Sequence, residues 1–379
     1  MFAVEKEVPK SFMMRLVILL LALSGLMPAA FAGNFTWSAE SLPANDQLFQ
    51  RTNGWTGADG DFTVVLTNGL TLWLYSDTFV GTIADGHRHP ETMVNNSAAW
   101  QHGVNPTNTS VEFFYRRAAD GRPQALITPA DGQGWFWIFG STMANGKLYL
   151  FLPQIEHTPG NSVFSFRRTA EWLGEVENPL ASPTEWQVTQ TKIPFEQSKT
   201  NDDRCFGSAL LVTNGFIYIY GTHGDRHGLK MILARAPEAS LADFSSWQFR
   251  TRHAWSTNAA DAADLCDHMA SECSVSWLPA MGKYVFIGTK DGLSDKILLR
   301  TALDPWGPWS DAQVVYHCPD VKYDKGVFCY AAKAHPMLAI RPDELILTYA
   351  ANSFKLSGTI NDPRLYWPRF VRLRFQSAK

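Results

Sequence analysis

Carboxylates stand where the apolar runs of this chain begin and end. Asp59 and Asp61 precede one run and Asp77 closes its partner, Asp203 precedes another, and Glu272 directly precedes a third. Two carboxylates on either side of a glycosidic bond, one protonating the leaving oxygen and one acting as base or nucleophile, are what its hydrolysis needs. Any of these carboxylates could take one of the two roles. Trp55 and Trp135 lie at similar positions, and an aromatic face packs well against the C–H side of a sugar. Asn96, His223, His335 and Asn352, with Asp61 and Asp77, complete the candidate substrate-binding set. The chain holds 14 Trp, so most of them are expected to fill the core instead.

The elements that must position these groups are hairpins. Two β-rich runs flank a tight turn in residues 61–79, 137–153 and 205–222, and more loosely in 274–289 and 335–352. The turns begin at Asn68, Asn145, Asn214, Met281 and Pro342, a repeat of about 60–75 residues. Asn-Gly, present in the first three, favours the left-handed backbone of a type I′ turn. Each repeat leaves room for two more strands, so the spacing predicts an all-β, five-bladed β-propeller with four-stranded antiparallel blades. Third strands are expected near residues 93–101, 163–168, 229–235, 297–301 and 369–375. Fourth strands are expected near 111–116, 186–192, 247–251 and 312–317, with residues 46–52 closing the last blade. Residues 259–270 read as a short helix. In such a ring the start of each first strand and the end of each second strand meet on one rim, which gathers the candidate residues.

Met14-Arg15, the apolar run 16–26 and Ala30-Phe31-Ala32 read as a signal peptide over residues 1–32, leaving 33–379 as a single propeller domain. The apolar run is shorter than the roughly 20 residues a bilayer requires, so no membrane anchorage is expected after cleavage. The expected location is secreted or periplasmic. The whole chain carries a formal charge of −3, and removing a segment of net charge +1 leaves −4, which gives no basic footprint for nucleic acid. Of five cysteines, Cys266 with Cys273 and Cys318 with Cys329 are spaced for local disulfides, while Cys205 is left over. No CxxC pair or HExxH argues for zinc, and residues 223–227 (HGDRH) read as a polar loop. No cofactor is expected, with a central Ca²⁺ near His335 as the one option kept open. A monomer with a carbohydrate partner is the expected state.

Residues 53–60 (NGWTGADG), 72–79 (LWLYSDTF) and 93–97 (MVNNS) resemble the opening of secreted bacterial proteins of the domain-of-unknown-function families 4185 and 5005. Residues 299–310 and 347–352 extend the resemblance, which spans about residues 50–375. It implies kinship with endo-arabinanase-like propeller glycosidases, in which a first-blade Asp is base or nucleophile, a Glu from a later blade is the acid, and another Asp tunes that acid. By motif Asp59 takes the first role, with Asp61 as the alternative, and Glu272 takes the second. Asp203 is the alternative acid or the tuning residue, Asp77 belongs to the "DT" of the hairpin, and His335 matches a central His-Pro. Residues 138–142 (IFGST) depart from the pattern, carrying no carboxylate where the resemblance implies one in blade two. The leading expectation is a glycoside hydrolase acting on a furanose-containing or other polysaccharide. The alternative is a carbohydrate-binding propeller without catalysis.

Overall fold

The computed structural model describes residues 35–377, apart from Asn68, Asn161, Glu196, Thr200 and Asn201. The predicted signal peptide lies outside the described residues. Residues 37–375 form one compact unit, and the two chain ends are grouped separately.

That unit is all-β and built from five principal antiparallel sheets. Sheet I contains Phe62–Thr67, Leu70–Tyr75, Ser97–His102 and Ser110–Phe114. Sheet II contains Ser141–Ala144, Lys147–His157, Phe166–Val176 and Val188–Lys192. Sheet III contains Asp202–Thr213, Phe216–Asp225, Gly228–Pro237 and Gln248–Arg250, with short edge strands on both sides. Sheet IV contains Cys273–Leu278, Lys283–Thr289, Lys296–Ala302 and Gln313–His317. Sheet V contains Val327–Ala334, Glu344–Ser353, Arg369–Ser377 and, from the N-terminal side, Phe35–Ser41.

The hairpin turns form for the reason the sequence suggests. Asn145 and Gly146 adopt φ of 51° and 77°, and Asn214 and Gly215 adopt 52° and 75°. Asn tolerates this left-handed region and Gly meets no steric cost there. The first strands of sheets I to V contact one another in sequence. Between V and I, Lys333 donates to the Gly60 carbonyl, and His335 Nδ1 lies 2.7 Å from Thr63 Oγ1. Four apolar clusters fill the spaces between successive sheets. One joins I, II and III, a second joins III to IV, a third IV to V, and a fourth V to I.

Several expected elements differ. The strand that completes sheet V is Phe35–Ser41, upstream of residues 46–52. Pro43–Gln47 forms a helical turn instead, and the Asp46 carboxylate accepts the Phe370 backbone N–H. Residues 259–270 form only a 3-10 turn at Ala259–Asp261. Beyond it the chain runs beside the third strand of sheet III, where Leu265 N–H donates to the Met231 carbonyl and Met231 N–H donates to the Cys266 carbonyl. A separate three-stranded sheet, Asn53–Ala58, Thr78–Ala84 and His87–Val94, takes residues 93–94 away from the third strand of sheet I. In sheet II the third strand begins at Phe166, later than expected.

The expected disulfides are also corrected: all five cysteines carry free thiols. Cys318 and Cys329 nonetheless belong to one apolar cluster, and Cys266 packs against the cluster that holds Cys273.

Candidate functional site

The loop Asp59-Gly60-Asp61 feeds the first strand of sheet I. Asp59 N–H donates to the Asp77 carbonyl at 3.2 Å, and Ser76 N–H donates to the Asp59 carbonyl at 2.9 Å. These bonds fix the two aspartates beside one another although 18 positions separate them in the chain. The approach demands glycine at position 60: its φ is 95°, and a Cβ there would lie 2.9 Å from the Ser76 nitrogen.

Sheet V supplies the groups that hold Asp59. Its first strand carries a bulge between Tyr330 and Lys333, with Ala331 at φ 58°. A bulge re-aims the side chains around it. Tyr330 then donates to Asp59 Oδ2 at 2.6 Å, while Lys333 is buried and donates to the Gly60 and Ala331 carbonyls. Tyr366 adds a second hydroxyl to Oδ2 at 3.0 Å. Its backbone is locked at φ 69° by bonds from Ala58 N–H and to the Ala351 carbonyl. Asp59 Oδ1 has no hydrogen-bond partner among the described residues.

Asp77 Oδ1 accepts from Asn95 Nδ2 and from Trp137 Nε1, each at 2.9 Å. Glu272, at the start of sheet IV, lies 3.4 Å from the Lys333 ammonium. Lys333 also sits over the Phe62 ring, 4.4 Å from its centre. Asp59, Asp77 and Glu272 line one cavity of about 1070 Å³, together with Trp135, Trp137, His157, Tyr330, Asn352 and Tyr366.

Burial dominates the electrostatics of this cavity. Asp59 is pushed well above the usual carboxylate range by desolvation first, then by the charges of Asp77 and Glu272, against the two tyrosine hydrogen bonds. Desolvation raises Asp77 to about 6, opposed by its bonds to Asn95 and Trp137. It raises Glu272 as well, opposed by Lys333. Both tyrosine hydroxyls are pushed upward by burial and by Asp59, so they remain donors. Burial thus moves all three carboxyls of the cavity upward, though not equally, and carboxyls shifted apart in this way are suited to divide the roles of acid and base.

The remaining candidates lie elsewhere. Asp61 is fully buried beneath the cavity, with neither carboxylate oxygen hydrogen-bonded among the described residues. Desolvation raises it to about 7, with Lys333 opposing. Asp203 is outside the cavity and accepts from Arg168 at 2.5 Å. His223 pairs with Asp264 at 2.7 Å, at the far end of the long strands of sheet III. Trp55 is a core residue, stacked on Phe113 with its N–H on Ser97 Oγ. Asn96 is buried and bonds the backbone of Ile127 and Phe136. His335 is buried between Thr63 Oγ1 and Thr348 Oγ1, each 2.7 Å from a ring nitrogen. Both nitrogens are thus engaged, and burial first, then the Lys333 charge, holds the ring well below the usual imidazole range. Among the described residues no three His, Cys, Asp or Glu side chains are grouped to hold a metal.

Three residues of the site escaped the sequence reading: Tyr330, Tyr366 and Lys333. Lys333 left one trace, a charge inside the apolar run VFCYAAKA.

Solved structures share this fold, two of them as follows. A protein of Bacteroides ovatus ATCC 8483, provisionally named a hydrolase, aligns with a TM-score of 0.72 and 20% identity over 92% of this chain and 93% of its own. The catalytic domain of the GH62 α-L-arabinofuranosidase of Coprinopsis cinerea aligns with a TM-score of 0.50 and 11% identity over 91% and 98%. No curated protein sequence matches the chain. A family model matches residues 44–375, the whole span from the helical turn before sheet I to the last strand of sheet V. The chain therefore belongs to the family described as Domain of unknown function (DUF5005).

Proposed function

We propose that this protein is a secreted, five-bladed β-propeller glycoside hydrolase acting on a furanose-containing or other glycan. Asp59 serves as base or nucleophile, Glu272 as the acid that protonates the leaving oxygen, and Asp77 as the charge that tunes Asp59. The observation that carries this reading is the desolvated trio of Asp59, Asp77 and Glu272 on one cavity, with Asp59 electrostatically tied to both others. The orphaned Asp59 Oδ1 suits a water or a sugar hydroxyl. Likeness of fold to an arabinofuranosidase catalytic domain supports a furanoside, and the five sheets with successive first-strand contacts support the five-bladed ring. Export rests on the reading of residues 1–32. The test is sugar release by the mature chain from a panel of arabinans, other furanose polymers and simple furanosides, with glycan binding measured beside it.

A second reading has one observation in its favour. Burial and the charges of Asp77 and Glu272 raise Asp59 well above the usual carboxylate range, which suits a hydrogen-bonding role in a carbohydrate-binding propeller. Glycan binding without any sugar release would establish it.

The catalytic reading makes a pH prediction. Hydrolysis needs Asp59 ionised and Glu272 protonated, and both groups are raised, so the active window lies above the ordinary carboxylate range. The rate rises as pH climbs through the limb set by Asp59. The Asp77 charge raises that limb, so Asp77→Asn removes a like charge while its amide oxygen can still accept from Trp137. We expect the rising limb of kcat/KM to move to lower pH. An unmoved limb would remove Asp77 from the tuning role.

A further inference from the structure

The floor of the cavity is polar, but one wall is not. Five of the thirteen large hydrophobic side chains that stand exposed among the described residues line this one cavity: Met93, Phe164, Leu293, Phe354 and Leu356. Phe328 lies behind them, with its ring centre 4.6 Å from that of Phe354, 5.8 Å from Phe164 and 5.4 Å from Tyr330. Aromatic contacts thus run without a break from the hydroxyl that grips Asp59 out to the exposed rings of Phe164 and Phe354. A second path runs from Trp137, on Asp77, through Phe166 to Phe164, with ring centres 4.8 and 6.5 Å apart.

Rings exposed at these positions cost hydrophobic free energy unless something covers them, and apolar surface gathered at a cavity mouth marks a binding surface. A polysaccharide chain can set the C–H face of one sugar on a ring but covers the rest of this wall poorly. Its hydroxyls would lose water against phenylalanine and leucine side chains that offer no donor or acceptor. An aromatic group joined to the sugar fits instead: it stacks or packs edge-on against the wall while the sugar remains over the carboxylates.

Resting on the hydrolase reading of this same cavity, we propose that its substrate is a glycoside bearing an aromatic group, as aglycone or as substituent, and that Phe164 and Phe354 are the specificity-determining residues that bind it. The wall then selects small aryl-bearing glycosides over bare polymer chains.

The test is a binding measurement. The mature chain is titrated with matched methyl and 4-nitrophenyl 1-thioglycosides of arabinofuranose, xylopyranose and galactopyranose, which resist hydrolysis, and with 4-methylumbelliferone alone, by equilibrium dialysis. At least one aryl glycoside should bind about tenfold or more tighter than its methyl partner, and 4-methylumbelliferone should bind on its own. A Phe164→Ser/Phe354→Ser protein, altered only at exposed rings, should lose both effects while retaining its melting temperature. A single Phe164→Leu protein, which keeps the volume apolar, should retain part of the preference. Equal binding of aryl and methyl members, no binding of either, or a preference that survives the double substitution would overturn the proposal. Aryl preference without sugar release from the panel of arabinans, furanose polymers and furanosides would instead overturn the hydrolase reading and keep the aromatic site.

Discussion

Asp59→Asn should lower turnover by at least about 10²–10⁴-fold, the range expected when a positioned acid–base group is lost. The substitution keeps one oxygen to accept from Tyr330 and Tyr366, so the backbone bonds to Ser76 and Asp77 and the fold should survive. It removes the only Asp59 charge state able to take a proton or form a bond to the sugar. The expected result is loss in kcat with little change in binding, because substrate contacts along the aromatic wall are untouched. Full activity in Asp59→Asn would transfer the base or nucleophile role to another carboxylate, and Asp77 would be the next to examine.

The second large effect concerns stability. Lys333 is the cation that opposes the desolvation of both Asp61 and Glu272, and it also donates to the Gly60 and Ala331 carbonyls. Lys333→Met keeps the buried volume apolar and leaves these acids and carbonyls without their partner. Breaking a buried ion pair from one side costs about 3–5 kcal/mol. The sign with pH follows from the direction of the shifts. Carboxyls whose folded pKa lies above the unfolded value bind more protons in the native state, so stability falls as pH rises through that interval. Removing Lys333 raises Asp61 and Glu272 further, so the loss should be larger at pH 8 than at pH 5. Urea unfolding of both proteins at the two pH values reads this directly. A loss below about 1 kcal/mol that does not vary with pH would show that Lys333 contributes packing alone.

Much of this arrangement was legible because it is local. The Asn-Gly turns, the first and second strands, and the positions of Asp59, Asp77 and Glu272 at strand ends all follow from short-range pattern and from chain reversal in a hairpin. The same rim logic failed for Asp203 and His223, and the reason is strand length. Sheet III continues as a paired ladder through Asp203 opposite Gly224 and Arg204 opposite His223, which carries those side chains beyond the cavity to Arg168 and Asp264. Tyr366 was invisible because its partner lies 307 positions away, held there by an unusual backbone conformation. Tyr330 and Lys333 depend on a bulge that strict alternation cannot anticipate. The reading of His335 as a central residue identified a real constraint with a different purpose. Two threonine hydroxyls saturate its ring nitrogens and tie sheet V to sheet I.

The gap in sheet II, where residues 138–142 bring no carboxylate, also has a physical answer. Trp137 from that sheet donates to Asp77, so sheet II contributes to the site by orienting an acid from sheet I.

The central claim is that Asp59 and Glu272 act on one glycosidic bond from the two sides. The most direct test compares leaving groups. Wild-type, Asp59→Asn and Glu272→Gln proteins are assayed on 2,4-dinitrophenyl and methyl members of whichever glycoside the wild type cleaves. A dinitrophenolate departs without protonation, so Glu272→Gln should retain much of its activity on that substrate and lose it on the methyl glycoside, while Asp59→Asn should lose activity on both. Equal loss on both substrates in Glu272→Gln, or none in either variant, would contradict the assignment.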